Sequence, residues 1–224
     1  MDSKKQNKKR AHDTMASQNH GFMLEEEIKE KVYGITKDKK IAYTEVHDIP
    51  AELNAGVPVS IKTTGSNTIC FGDALRMFKN SNLLNYECIL VKYKQMEEEK
   101  QIEQIIHLDL AQSKKALFGE IEYDEIHELD SLVKSIPAGK CNTELYNKFH
   151  TLKKQLNKKS GYIRFNPKVD SKNQRRLQCS MPKFPEFVEK EKERMLEQSF
   201  KGVLRGIQLS MSVLSKRRIR LSPN

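Results

Sequence analysis

Three residues in the first third of the chain have the types and the spacing for phosphodiester chemistry. Asp48 precedes the triplet Ser60-Ile61-Lys62, and each lies in a short run that reads as a β-strand. The run IAYTEVHDIP alternates and stops at Pro50; VPVSIKTT is rich in β-branched residues and stops at Gly65. On a strand, Ser60 and Lys62 point to one face, about 6.7 Å apart along the chain. Asp48, at the end of the neighbouring strand, then comes beside them. A carboxylate and an ammonium so placed can hold a divalent cation and a water against a phosphodiester. The competing reading of the same residues is an edge strand with a solvated lysine.

The elements that must position these groups follow from periodicity. A helix beginning near Gly21 puts Leu24, Ile28, Val32 and Ile35 on one face. Strands are expected at about 41–48 and 57–64, and a short helix over 72–80 with Asp73 in its first turn, where negative charge suits the helix dipole. YECILVKYKQM and KQIEQIIHLDL read as a strand pair, 111–118, 122–135 and 143–158 as helices, and 160–166 and 177–181 as strands around a polar loop. The apolar residues of 184–214 are spaced as for a helix, in two pieces broken near Gly202 and Gly206. This order is α/β, a sheet carrying helices on its faces.

Length and composition narrow the class. The 224 residues suit one large domain, or a core with one small appendage. No run of 18 apolar residues is present, so no membrane span is expected, and the basic start MDSKKQNKKR leads into no apolar stretch of a secretory signal. Cys70, Cys88, Cys141 and Cys179 are too widely spaced for a zinc site and are expected as reduced thiols of an intracellular, cytoplasmic protein.

Charge is segregated along the chain. Residues 1–10, 153–176 and 214–224 together carry +16, so the remainder sums to −6 against a total of +10. Residues 120–130 hold six acids and no Lys or Arg. A basic patch set apart from an acidic helix is the electrostatic footprint of a polyanion-binding protein. Residues 1–18 and 216–224 are expected as disordered basic arms, leaving one domain over 19–215. The basic stretch 153–176 is interleaved with Tyr162, Ile163 and Phe165, and is followed by Leu177; these residues should pack.

The order helix, Asp-bearing strand, x-x-Lys strand, helix and further strands resembles the PD-(D/E)XK nuclease core, with Ser60 where the second acid usually stands. GVPVSIKTTGSNTICFGDALR (56–76) is similar to the catalytic segment of type II restriction endonucleases, and SGYIRFNPKVDSKNQRRLQCSM (160–181) resembles a DNA-contact segment of such enzymes. The resemblance covers roughly residues 20–185. It implies a restriction-endonuclease-like core with a mixed central sheet flanked by helices. It also implies Mg²⁺-dependent hydrolysis of double-stranded DNA at a specific short sequence, as a homodimer paired functionally with a cognate DNA methyltransferase.

The resemblance also assigns roles. Asp48 binds the metal, Lys62 stabilises the attacking group and the developing charge, and Ser60 positions a water. A glutamate on the first helix often faces the metal in this family. Glu25 shares the apolar stripe with Ile28 and Val32, where a carboxylate is costly unless paired or bound to a cation. It is the first substitute for the missing acid, and Glu52 the second. The competing reading of Glu25 is a partly exposed residue at the edge of the stripe.

DNA readout is expected from the contact segment within about 153–181. Gln174, Arg175, Arg176 and Gln178 are types that reach base edges; Lys168, Lys172, Asn173 and Ser180 suit phosphates. A strip that binds phosphate without reading sequence is the alternative for the Arg pair. Thr63, Thr64, Ser66 and Asn67 follow Lys62 closely enough to touch the backbone, although turn chemistry around Gly65 accounts for them equally well.

No P-loop, Rossmann glycine pattern or triad spacing is present. His107, on an apolar strand, reads as a core histidine. Met195, Leu196, Val203, Leu204, Ile207, Met211 and Leu214 would form a helical stripe, as core or dimer contact. A structure-selective repair nuclease and a non-catalytic nucleic-acid-binding protein remain open beside the restriction enzyme.

Overall fold

The computed structural model describes residues 23–36, 46–137, 143–169 and 174–214. In chain order the elements are α1 (23–33), β1 (Val59–Thr64), β2 (Ile69–Asp73), α2 (Ala74–Asn80), β3 (Glu87–Gln95), β4 (Glu99–Asp109), α3 (Lys114–Phe118), α4 (Tyr123–Ser135) and α5 (Thr143–Lys159). Then come β5 (Arg164–Val169), β6 (Arg175–Met181), α6 (Phe184–Lys190), β7 (Met195–Ser199), β8 (Val203–Leu204), β9 (Ile207–Gln208) and β10 (Ser212–Leu214). The fold is mixed α/β. The described residues fall into two compact units: 23–36, 46–65, 89–108 and 196–214 in the first, 66–88, 109–137, 143–169 and 174–195 in the second.

The first unit is built on a five-stranded sheet in which β1, β3, β4 and β10 are successive neighbours and β7 also pairs with β4. Leu24 and Ile28 of α1, with Ile35 beyond it, belong to one buried cluster with Ile49, Val59, Ile61, Ile89, Val91, Ile102 and Ile105. The 3.6-residue spacing of the helix stripe therefore meets the alternate residues of the strands, as its sequence pattern predicts. Each such aliphatic side chain contributes roughly 1.5–3 kcal/mol by leaving water. Gly34 ends α1 at φ 64°, a conformation that favours glycine, and the Ile35 N–H returns to the Lys29 carbonyl at 2.9 Å. His107 of β4 is buried, as expected of a core histidine.

The second unit holds an antiparallel sheet in the order β2-β6-β5. Ile163, Phe165 and Leu177 are buried, and Tyr162 stands edge-on to Phe187 with centroids 5.2 Å apart, so the apolar residues interleaved in the basic stretch do pack. Asp73 is the N-cap of α2, its Oδ1 accepting from the Arg76 N–H at 2.8 Å. Gly161 is required by close approach: a Cβ there would run into the Ala116 carbonyl, which accepts the Tyr162 N–H at 3.2 Å.

Two expectations are corrected. The helix over 184–214 is confined to Phe184–Lys190, and strands β7 to β10 occupy the remainder after a 3₁₀ turn at Lys192–Arg194. Arg205 and Gly206 have φ of 49° and 75°, the paired positive values of a two-residue hairpin turn, and they join β8 to β9. Turn geometry prevails there over apolar spacing. The stripe from Met195 to Leu214 is thus not a helix face: Leu204 is buried, while Leu196, Ile207 and Met211 are exposed. The helical dimer contact loses its basis with it. The strand expected at 41–48 does not run through to Asp48. Residues 46–48 are a bend, Ile49 forms a bridge to Val59, and 41–45 lie outside the described residues, as do the arms 1–18 and 216–224.

Candidate active site

Among the described residues, Asp48 is placed by a single bridge beside it. Ile49 and Val59 exchange both backbone hydrogen bonds at 3.0 Å, antiparallel, which puts Asp48 across from Ser60. Beyond the bridge the Asp48 carboxylate supplies the acceptor for β1: the Ile61 N–H donates to Asp48 Oδ2 at 2.6 Å. Lys62 Nζ donates to the same Oδ2 and to the Ile61 carbonyl, both at 2.9 Å. Asp48 and Lys62 are part-buried, with side chains 26% and 22% exposed, so the pair remains reachable from solvent. Ser60 is buried on β1.

Glu25, from α1, completes the charge cluster. Burial raises its carboxyl above the ordinary range, and the negative charge of Asp48 raises it further, against the opposing pull of Lys29 and, to a smaller degree, Lys62. Lys29 Nζ lies 2.6 Å from Glu25 Oε1 and 3.3 Å from Glu26 Oε1. The two partners fare differently for a physical reason. Burial weighs against the charge of Lys29, but two carboxylates overcome it and hold the ammonium above its ordinary value. Glu25 has one close ammonium to set against both burial and Asp48. Glu26 is the more exposed neighbour, as the helix spacing predicts, and Glu52 is exposed on a 3₁₀ turn.

Among the described residues, no three His, Cys, Asp or Glu side chains group closely enough to hold a metal ion. A pair of carboxylates nonetheless suits Mg²⁺, which is bound by one or two of them and keeps several waters. Two observations fit that ion. The ammonium of Lys62 sits between two oxygens as a cation would, and Asp48 and Glu25 repel each other in a way that a divalent cation relieves.

Of the residues after Lys62, Thr64 is buried and Thr63 part-buried. Ser66 Oγ accepts from the Thr68 N–H at 3.1 Å, turn chemistry of the expected kind, and the Asn67 carbonyl accepts from the Phe184 N–H at 3.3 Å.

The contact segment forms the β5–β6 ladder of the second unit. Its register sets Lys168 opposite Arg176 and Asn166 opposite Gln178, with Leu177 and Cys179 on the buried face. Like charges directly opposite each other destabilise a sheet, and a bound anion removes that cost. Arg175 turns the other way: its Nε and Nη2 donate to the carbonyls of Ile136 and Pro137 at 2.9 and 2.7 Å, just past the end of α4. Arg176, exposed, bonds Gln174 Oε1 at 2.9 Å. Ser180 is buried and accepts from Asn166 Nδ2 at 2.6 Å. Lys172 and Asn173 lie outside the described residues.

Sequence reasoning did not name Lys29 as part of the site. Its signal was the Glu25-to-Lys29 spacing of four, which on a helix more often marks a solvated ion pair. No helix among the described residues is long and apolar enough to cross a membrane. No protein-family model, curated protein or solved structure matches the chain.

Proposed function

We propose that this chain is a Mg²⁺-dependent DNA endonuclease of the type II restriction class, built on a PD-(D/E)XK-like core. The observation that carries the reading is the convergence on one carboxylate, Asp48, of the Ile61 N–H and the Lys62 ammonium, with the Glu25 carboxyl near enough for Asp48 to raise it. In this reading Asp48 and Glu25 hold the cation. Mg²⁺, when bound, neutralises charge on the scissile phosphate and acidifies a water. Lys62 turns from Asp48 toward the phosphate and balances the negative charge that builds on its oxygens. Ser60, beside them on β1, orients the water. Arg176, Gln178 and Lys168 on the exposed ladder face contact the DNA. Cleavage of palindromic sites implies a homodimer, a paired methyltransferase protects the host's own sites, and such an enzyme works in the cytoplasm.

A second reading has one observation in its favour. Each carboxylate of the cluster already has a lysine partner, so the cluster is also a self-consistent structural ion pair in a non-catalytic nucleic-acid-binding protein. Supercoiled plasmid incubated with Mg²⁺ or with chelator separates the two. Discrete linear fragments that require Mg²⁺ support the restriction enzyme, random nicking supports a structure-selective nuclease, and binding without cleavage supports the second reading.

A further inference from the structure

Helix α5 in the second unit carries a charged feature that neither the Asp48 cluster nor the β5–β6 ladder uses. His150, Lys153, Lys154, Asn157 and Lys158, all on this one helix, line a shallow, open groove along it. Some lysines of this unit have carboxylates against them: Lys114 pairs with Glu122, Lys134 with Asp130 and Lys159 with Glu125. Among the described residues, Lys153, Lys154 and Lys158 have no acid within ion-pair distance. Asn157 is fixed by its Oδ1, which accepts the Phe165 N–H at 2.9 Å.

The groove also has a flat aromatic wall. The His150 ring stacks on Phe149 with centroids 4.3 Å apart and planes 28° apart. Phe149 is buried and His150 exposed, so the imidazole is braced on one side and reachable from solvent. Tyr146, one turn earlier and 41% exposed, lies 4.5 Å from the same ring. Lys153 and Lys158 are five residues apart on the helix, about 7.5 Å along its axis. Unpaired ammonium groups beside an exposed, braced aromatic face are the two components by which proteins hold unstacked nucleotides: phosphates on the cations, a base on the ring.

We infer that the α5 groove is a binding site for single-stranded nucleic acid, with a base over His150 and consecutive phosphates on Lys153, Lys154 and Lys158. A duplex, whose bases are stacked internally, offers nothing to the ring. The inference does not depend on the proposed cleavage chemistry.

The test is anisotropy of a fluorescent deoxythymidine oligomer with the full chain in chelator, at several salt concentrations, beside a blunt duplex. The expected result is a preference for the single strand. Lys153→Gln/Lys154→Gln/Lys158→Gln lowers the salt slope by about two, at roughly 0.7 for each phosphate no longer neutralised. His150→Ala weakens binding about tenfold and His150→Phe restores it. A charge-matched control, Lys183→Gln/Lys190→Gln/Lys192→Gln, stays within about twofold of wild type, on the reasoning that lysines away from the groove hold no phosphate. Tighter binding of the duplex, equal loss in the two triple variants, or indifference to His150→Ala would each overturn the inference. So would binding to anionic lipid vesicles that depends on the three lysines while the oligomer is ignored. Because cleavage is never measured, a protein that cuts no DNA leaves the inference intact, and a protein that cuts DNA does not rescue it.

Discussion

Lys62 Nζ lies 2.9 Å from Asp48 Oδ2, and the same oxygen accepts the N–H of Ile61 at 2.6 Å. One carboxylate thus terminates a strand pairing and holds the lysine of the next strand. Removing its charge and removing its hydrogen bond are separable operations, because an amide at position 48 retains an acceptor for Ile61.

The first prediction concerns pH and Glu25. Burial and Asp48 raise its carboxyl above 4.5, so the folded chain holds this proton more firmly than the unfolded chain does. Stability from the neutral form is complete below 4.5 and is lost as pH rises through the raised folded value. Glu25→Gln keeps a neutral group at every pH. In thermal unfolding without divalent cation, the variant should therefore gain on wild type between acidic and neutral pH. Mg²⁺ should then stabilise wild type more than the variant. A gap that closes as pH rises would show that the carboxylate form is the favoured one.

Glu27 gives the opposite sign. Burial pushes its carboxyl up, but Lys31 Nζ at 2.7 Å and the Ser210 N–H and Oγ–H at 2.9 and 2.8 Å outweigh it and bring it below the usual range. Its contribution is present above 4.5 and is lost as pH falls through the lowered folded value. Glu27→Ala should cost about 1.5–3 kcal/mol near neutral pH, the range for hydrogen bonds to a charged group, and less in acid. Denaturant titrations at the two pH values check this; a cost independent of pH would mean that packing, not charge, is what the residue supplies.

Much of the scaffold was legible in the sequence. The α1 stripe, β1, the β3–β4 pair, α4, α5 and the short helix α2 beside Asp73 follow from periodicity and end signals that act locally; that Asp73 caps α2 instead of sitting in its first turn is the structure's addition. Asp48 and Lys62 were also legible as a pair, because strand pairing leaves few other places for them. What was not legible depends on long-range geometry. The guanidinium of Arg175 reaches carbonyls 39 and 38 residues away, which no local pattern encodes. Lys29 has the spacing of an ordinary surface pair until the sheet buries its partner. The C-terminal segment carries both a helical apolar spacing and hairpin glycines, and the glycines decide.

The arginines of β6 should separate stability from DNA affinity. Arg175→Ala removes donors from the Ile136 and Pro137 carbonyls and should destabilise the chain by about 1–3 kcal/mol. Arg176→Ala leaves the fold nearly unchanged and, if this side chain reads a base, costs roughly 1–3 kcal/mol at the cognate site with relaxed discrimination there. Unfolding midpoints and binding to cognate and scrambled duplexes distinguish them. Equal loss on both duplexes for Arg176→Ala would make the ladder a backbone clamp.

The most direct test of the catalytic assignment is cleavage by Asp48→Asn and Lys62→Met beside wild type, with Mg²⁺ and equal DNA occupancy confirmed by binding. Asp48→Asn keeps an acceptor for the Ile61 N–H and loses the charge that would hold a cation. Lys62→Met keeps the length of the side chain and loses the ammonium. The account predicts that wild type cuts DNA and that each variant binds it yet cuts at least about a hundredfold more slowly. Glu25→Ala should be slower than Glu26→Ala, since it is the Glu25 carboxyl that the charge of Asp48 raises. Cleavage by either position-48 or position-62 variant at near wild-type rate, or no Mg²⁺-dependent cleavage by wild type on any DNA, would contradict it.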